Sequence, residues 1–176
     1  MKLLCSILLL TCSTPSLFAE TNAREALQIL ERNTGQETIS QVVAIVGFHG
    51  ADQPNRWQIL ALDPANEGVL REYVIQNDTV TGPKSIPRQE GEDLPQTPVF
   101  LTSMKLNSTD VYQIADDQAI EAGVGFAKVN YQLRWRGNDP EPTWLATLLS
   151  SDNQVVGRIY VMAASGTVIH RDFARG

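Results

Sequence analysis

The sequence predicts an α+β fold made of two α-β-β-β repeats, with antiparallel sheet packed by one helix per repeat. Three observations predict it. The chain matches itself at an ungapped shift of 87 residues, with nine identities across positions 50–74. Each half opens on a helix-start pattern followed by an apolar stripe at helical spacing. Each half then continues through three short runs rich in β-branched and aromatic residues, separated by Gly, Pro, Asn and Asp.

Residues 1–19 read as a secretory signal peptide. Met1-Lys2 supplies the charge, Leu3 to Leu10 the apolar segment, Pro15 the helix break and Ala19 the small residue at the cut. A rival reading keeps the export and changes the anchor: Leu9-Leu10-Thr11-Cys12 resembles a bacterial lipobox, which would make Cys12 a lipidated first residue. Cys5 and Cys12 are the only cysteines. The exported body therefore has no disulfide, thiolate nucleophile or thiolate ligand. Export without cysteines points to a bacterial envelope protein, periplasmic or extracellular, or else lipid-anchored.

The first repeat spans residues 20–80. Asn22-Ala23-Arg24-Glu25 is a capping-box start, with Asn22 as N-cap and Glu25 reaching back. Ala23, Ala26, Leu27 and Leu30 fall on one helical stripe, and Gly35 is expected to supply a left-handed stop. Strands follow at Ile39 to Phe48, Trp57 to Leu62 and Val69 to Ile75, with a turn through Asp63-Pro64-Ala65-Asn66-Glu67-Gly68.

Residues 81–107 hold Pro83, Pro87, Pro95 and Pro98 and the acidic run Gln89-Glu90-Gly91-Glu92-Asp93. They read as a solvated connection, too irregular for a central strand, in which Val99 to Leu106 would add one further strand. The second repeat, 108–176, begins near Ser108-Thr109-Asp110. Its helix runs through Val111, Ile114, Ala115 and Ala119 to Gly123, and strands follow at Phe126 to Trp135, Trp144 to Leu149 and Val155 to Met162. Ser165-Gly166 turns into a last extended piece, Thr167 to His170. A single helix cannot cover three strands alone, so the repeats should join their sheets or pack face to face.

At the shift of 87, Trp57 meets Trp144, Arg71 meets Arg158, and Tyr73-Val74 meets Tyr160-Val161. Period two then places Val69, Arg71, Tyr73 and Ile75 on one strand face, and Val156, Arg158, Tyr160 and Met162 on its counterpart. Arg and Tyr are over-represented at binding hot spots, so Arg71, Tyr73, Arg158 and Tyr160 are the candidate partner-binding residues. The alternative is packing, with each Arg stem lying over a neighbouring Trp.

A helix followed by antiparallel strands, a Trp before a strand and the final Arg158-Ile159-Tyr160-Val161 strand running into Ser165-Gly166-Thr167-Val168 resembles PepSY-type domains. The family's acidic-Ala step is missing at Ala163-Ala164, and the first copy has Gln76-Asn77-Asp78-Thr79 without glycine. The tandem arrangement is similar to the β-lactamase inhibitor protein, whose two units join into one long sheet. The resemblance implies an exported, non-catalytic module that binds a protein or restrains a peptidase.

The chain's 176 residues are 43% hydrophobic, with 14 Lys+Arg against 20 Asp+Glu and a net charge of −6. That composition excludes disorder and argues against a nucleic-acid partner, and beyond the leader no apolar run approaches a membrane span. Two histidines offer little chemistry. His49 and Asp52 on a turn fall short of a metal site, and His170 with Asp172 shares a strand face, a terminal polar pair with a catalytic base as the alternative. Asp116, Asp117 and Glu121 lie on a helix, pointing apart; a two-carboxylate hydrolase would need acids distant along the chain. Glycine-rich phosphate loops, G-x-S-x-G and H-E-x-x-H do not occur, and no cofactor is expected. The reading is a binding module for a protein or peptide, with a structural or lipid-anchored envelope role as the alternative.

Overall fold

A computed structural model describes residues 21–87 and 94–174. The expected leader, the alternative lipidation site Cys12 and the acidic centre of the expected connection lie outside the described residues. Asn22 caps α1 (Ala23–Thr34): its side chain accepts the Glu25 N–H, and Glu25 accepts the Asn22 N–H, each at 3.0 Å. Ala23, Ala26, Leu27 and Leu30 are buried, as the stripe requires. Gly35 (φ 87°, ψ 167°) is not left-handed helical; the chain instead starts a second short helix, α2 (Gln36–Ser40). Ile39 therefore belongs to α2, and β1 begins later, at Val42–Gly50.

The strands β2 (Arg56–Leu62), β3 (Val69–Gln76) and β4 (Thr79–Pro87) follow. β4 corrects the expected connection, which begins inside it. Its prolines sit on the outermost strand, where a missing N–H removes no ladder bond. The expected strand from Val99 to Leu106 is absent; a single 3₁₀ turn covers Leu101–Ser103. Nor is this stretch merely solvated, since Val99 and Met104 are buried and Val99 N–H donates to Val42 O at 2.7 Å. Then come α3 (Ser108–Ala122), capped by Asn107 and stopped by a left-handed Gly123, β5 (Lys128–Arg134), β6 (Thr143–Leu149), β7 (Val155–Met162) and β8 (Val168–Phe173).

All eight strands form one antiparallel sheet, ordered β4-β3-β2-β1-β5-β6-β7-β8. The halves join through β1 and β5. α1 packs on β3 and β4 and α3 on β6 and β7, so the long helices cover one face, and among the described residues the other carries no helix. The core lies between helices and sheet. Its centre is an aromatic row, Trp57–Tyr131–Trp144, with ring centroids 5.9 and 6.3 Å apart. Gly47 lies opposite both Trp57 and Tyr131, and a Cβ there would come within 2.8 Å of the Trp57 ring. Glycine is thus what lets two large rings flank one strand.

The two indoles are anchored alike. Trp57 Nε1 donates to Thr21 O at 2.6 Å and Trp144 Nε1 to Leu106 O at 3.4 Å, each carbonyl lying one residue ahead of a helix N-cap. The helix starts also meet each other: Ala23 N–H donates to the buried Ser108 Oγ at 3.0 Å, and Arg24 N–H to Asn107 Oδ1 at 3.1 Å. Donors that a helix start leaves unpaired are satisfied here by the opposite half.

Candidate functional site

Strand register decides where each candidate residue points. Across β2 and β3, Trp57 lies opposite Ile75, Ile59 opposite Tyr73 and Ala61 opposite Arg71. Across β6 and β7, Trp144 lies opposite Val161, Ala146 opposite Ile159 and Leu148 opposite Gly157. Trp57 to its partner is 18 positions and Trp144 to its partner is 17, so the second connection is one residue shorter. A one-residue slip sends every side chain of a strand to the other face. Arg71 therefore corresponds in space to Gly157, and Tyr73 to Ile159.

The expected common face of Arg71, Tyr73, Arg158 and Tyr160 is thus split between the two sides of the sheet. Tyr73 is in the core at 2% exposure. Arg71 also faces the helices, where its Nη2 meets Asp63 Oδ1 at 2.7 Å. Asp63 further accepts the Ala65 N–H at 2.9 Å and the Asn66 amide at 3.0 Å. The Asn66 and Ala65 hydrogen bonds, joined by Arg71, hold the Asp63 carboxyl below the usual carboxylate range, against the opposing effect of burial. Arg71 accordingly ties down the β2–β3 loop. Arg158 and Tyr160 point the opposite way, onto the helix-free face.

That face reads as rows across the strands. One runs Val74, Gln58, Val46, Gln132, Leu145, Tyr160, in register from β3 to β7. Val74, Val46 and Leu145 are half-buried, and Phe48 beside them is 43% exposed. Two depressions open here, sharing Gln132 and Leu145. The larger, about 310 Å³, is walled by Val46, Phe48, Gln58 and Thr147; the smaller, about 80 Å³, by Arg134, Arg136, Thr143 and Tyr160. Arg136, just past the end of β5, lies 4.3 Å from the Tyr160 ring centroid. His170 on β8 contacts the same tyrosine, with centroids 5.6 Å apart.

The remaining candidates separate. His49 adopts φ 55° and donates its N–H to Asn130 Oδ1 at 2.7 Å, while Asp52 Oδ1 accepts the Gln53 N–H at 2.7 Å. His170 and Asp172 share the helix-free face of β8, opposite Tyr160 and Arg158 respectively. Asp117 accepts from Gln113 and Glu121 pairs with Arg171 at 2.6 Å, so the α3 acids address different neighbours. Among the described residues no three His, Cys, Asp or Glu side chains converge on a metal-sized site. Nor is any helix among them long and apolar enough to cross a membrane. The buried Tyr131 hydroxyl, its pKa raised by burial and then by the Asp52 charge, donates to Asp52 O.

Sequence reasoning missed Arg136, Leu145 and Phe48. Arg136 lies beyond its strand and has no counterpart in the repeat match, so only the fold brings it over Tyr160.

No protein-family model matches the chain, and no curated protein sequence matches it. A likeness appears among solved structures. A crystal structure of a candidate lipoprotein from Clostridium difficile 630 superposes with a TM-score of 0.56 at 15% identity, covering 87% of this chain and 93% of that one. At that identity the likeness is one of fold.

Proposed function

We propose that this chain is an exported, non-catalytic binding module, a duplicated PepSY-like unit that engages a protein or peptide through the helix-free face of its sheet. The observation that carries the reading is that face itself. An antiparallel sheet with one solvated side normally alternates apolar-in with polar-out. Here the outer side keeps Val46, Leu60, Val74 and Leu145 half-buried and Phe48 exposed, around two depressions. Apolar surface gathered in this way marks interaction sites more often than scattered exposed residues do. Of the four candidates from the repeat match, Arg158 and Tyr160 are the two that lie on this face. The duplication is supported by the paired indole anchors and by the matching helix caps, Asn22 and Asn107.

Photo-crosslinking tests the binding reading. With a photoreactive residue at Leu145, a discrete protein adduct should form in envelope preparations; with the same residue at the exposed Gln113 of α3, it should not. Equal labelling from both positions, or none from Leu145, overturns the reading.

A second reading, a lipid-anchored envelope component, draws on the structural neighbour, which is itself described as a candidate lipoprotein. Labelled palmitate incorporated by the wild type and lost in Cys12→Ala would establish the anchor. A mature N-terminus at Glu20 would exclude it.

A further inference from the structure

We propose that the small depression beneath Arg136 is a carboxylate-anchoring subsite, and that the partner of the helix-free face is an acidic protein surface whose Asp or Glu side chain enters it. This rests on the binding role proposed for that face and names the partner's chemistry.

The geometry is specific. Arg134 ends β5 and Tyr160 lies on β7, two strand spacings away, about 9–10 Å. The Arg136 guanidinium, from the β5–β6 loop, lies 4.3 Å from the Tyr160 centroid, and the two side chains wall the depression together with Thr143 and Leu145 of β6. At 4.3 Å from the ring centroid the guanidinium is in cation–π contact, and that contact does not use up its five N–H donors, which suit a carboxylate. Arg136 has no ion-pair partner among the described residues. The Thr143 hydroxyl donates to Asp139 Oδ2 at 2.9 Å, which keeps that acid engaged at the rim.

At about 80 Å³ the depression is far below the several hundred Å³ of a metabolite pocket and suits one short side chain. The apolar wall of Leu145 and the Tyr160 ring lowers the local dielectric, strengthening a charge-assisted bond.

Charge segregation across the whole face points the same way. The chain carries −6 overall, yet among the described residues its helix-free face presents Arg56, Lys84, Lys128, Arg134, Arg136 and Arg158 against Glu72, Asp139 and Asp172. A basic face on an acidic protein steers an acidic partner to that side. The cations are spaced singly among Gln, Thr and aliphatic side chains over many strands, rather than massed in the contiguous patch a phosphate backbone or anionic bilayer needs. An acidic protein surface, with separated carboxylates among apolar residues, matches that spacing.

The test is selection from a random dodecapeptide display library on the wild-type chain, followed by fluorescence polarisation with the enriched peptides. Enriched peptides should carry an Asp or Glu beside an apolar residue, and Glu→Gln or Asp→Asn at that position should weaken binding at least tenfold. Arg136→Gln should reproduce the loss with an unchanged melting temperature, Arg136→Lys should restore binding in part, and Leu145→Ala should weaken every peptide. Acid-free peptides that need Leu145 but ignore Arg136→Gln would overturn the carboxylate subsite and leave the binding face standing. Peptides insensitive to both Leu145→Ala and Tyr160→Ala would overturn the binding face itself. Tighter binding of a 20-nucleotide single strand or of phosphatidylglycerol vesicles, abolished by Arg136→Gln, would overturn the assignment to a protein.

Discussion

The β1–β4 half and the β5–β8 half bury a tryptophan in the same way and then use the next strand oppositely. Trp57 and Trp144 are both fully buried, each hydrogen-bonded to the carbonyl ahead of a helix cap. Beside Trp57, β3 turns Arg71 and Tyr73 toward the helices. Beside Trp144, β7 turns Gly157 and Ile159 toward them and sends Arg158 and Tyr160 out. One residue of loop length separates a tyrosine that builds the core from a tyrosine that meets solvent. Chemical likeness between the two halves therefore says little about role until the register is known.

The similarity and the difference can each be broken by substitution. Trp57→Ala and Trp144→Ala should both destabilise by about 3–5 kcal/mol in urea melts. A large inequality between them would mean that the two anchors are not equivalent. Tyr73→Ala should cost about 3 kcal/mol, as for other large buried aromatics, whereas Tyr160→Ala should cost about 1 kcal/mol or less, as for surface sites. Equal costs would contradict the opposite facing of β3 and β7.

Two of the close-packed glycines offer a finer comparison. Gly47→Ala drives a Cβ to within 2.8 Å of the Trp57 ring in the middle of the sheet, and Gly157→Ala drives one to 2.7 Å from Phe173 on the edge strand. Overpacking costs about 1–3 kcal/mol, and the edge ring can shift where the central one cannot. Thermal melts should therefore show Gly47→Ala as the more destabilised of the two.

The smallest expected effect is on acid stability. Asp63 titrates lower in the folded chain than in the unfolded one. Between those two values the unfolded state binds the proton more readily, so the stabilisation is present above the ordinary carboxylate pKa and lost as pH falls through the lowered one. Asp63→Asn and Arg71→Ala should both flatten the acid limb of the stability profile, while Arg158→Ala should leave it unchanged. An unaltered acid limb in Asp63→Asn would place the sensitivity elsewhere.

Much of the fold is legible along the chain. The Asn22–Glu25 capping box, the Ala23–Ala26–Leu27–Leu30 stripe, the Gly123 stop and β7 all follow from local pattern, and both tryptophans lie in the core. β4 is less legible, because Pro83 and Pro87 resemble linker residues until the strand is known to lie at an edge. Of the candidate face, the sequence match points to Arg158 and Tyr160, and it also selects Arg71 and Tyr73, because a match along the chain does not carry the register between strands.

Capping, periodicity and turn chemistry involve residues within a few positions of one another, so the amino-acid order by itself determines the helices, most strands and the residue types of the core. The face a strand presents depends on its pairing with a neighbour, and that pairing is set by loop length and by which side chains fill the space beneath the helices. Only the folded sheet decides those terms together. It places Tyr73 inside and Tyr160 outside, and it brings Arg136 to a ring 24 residues further along the chain.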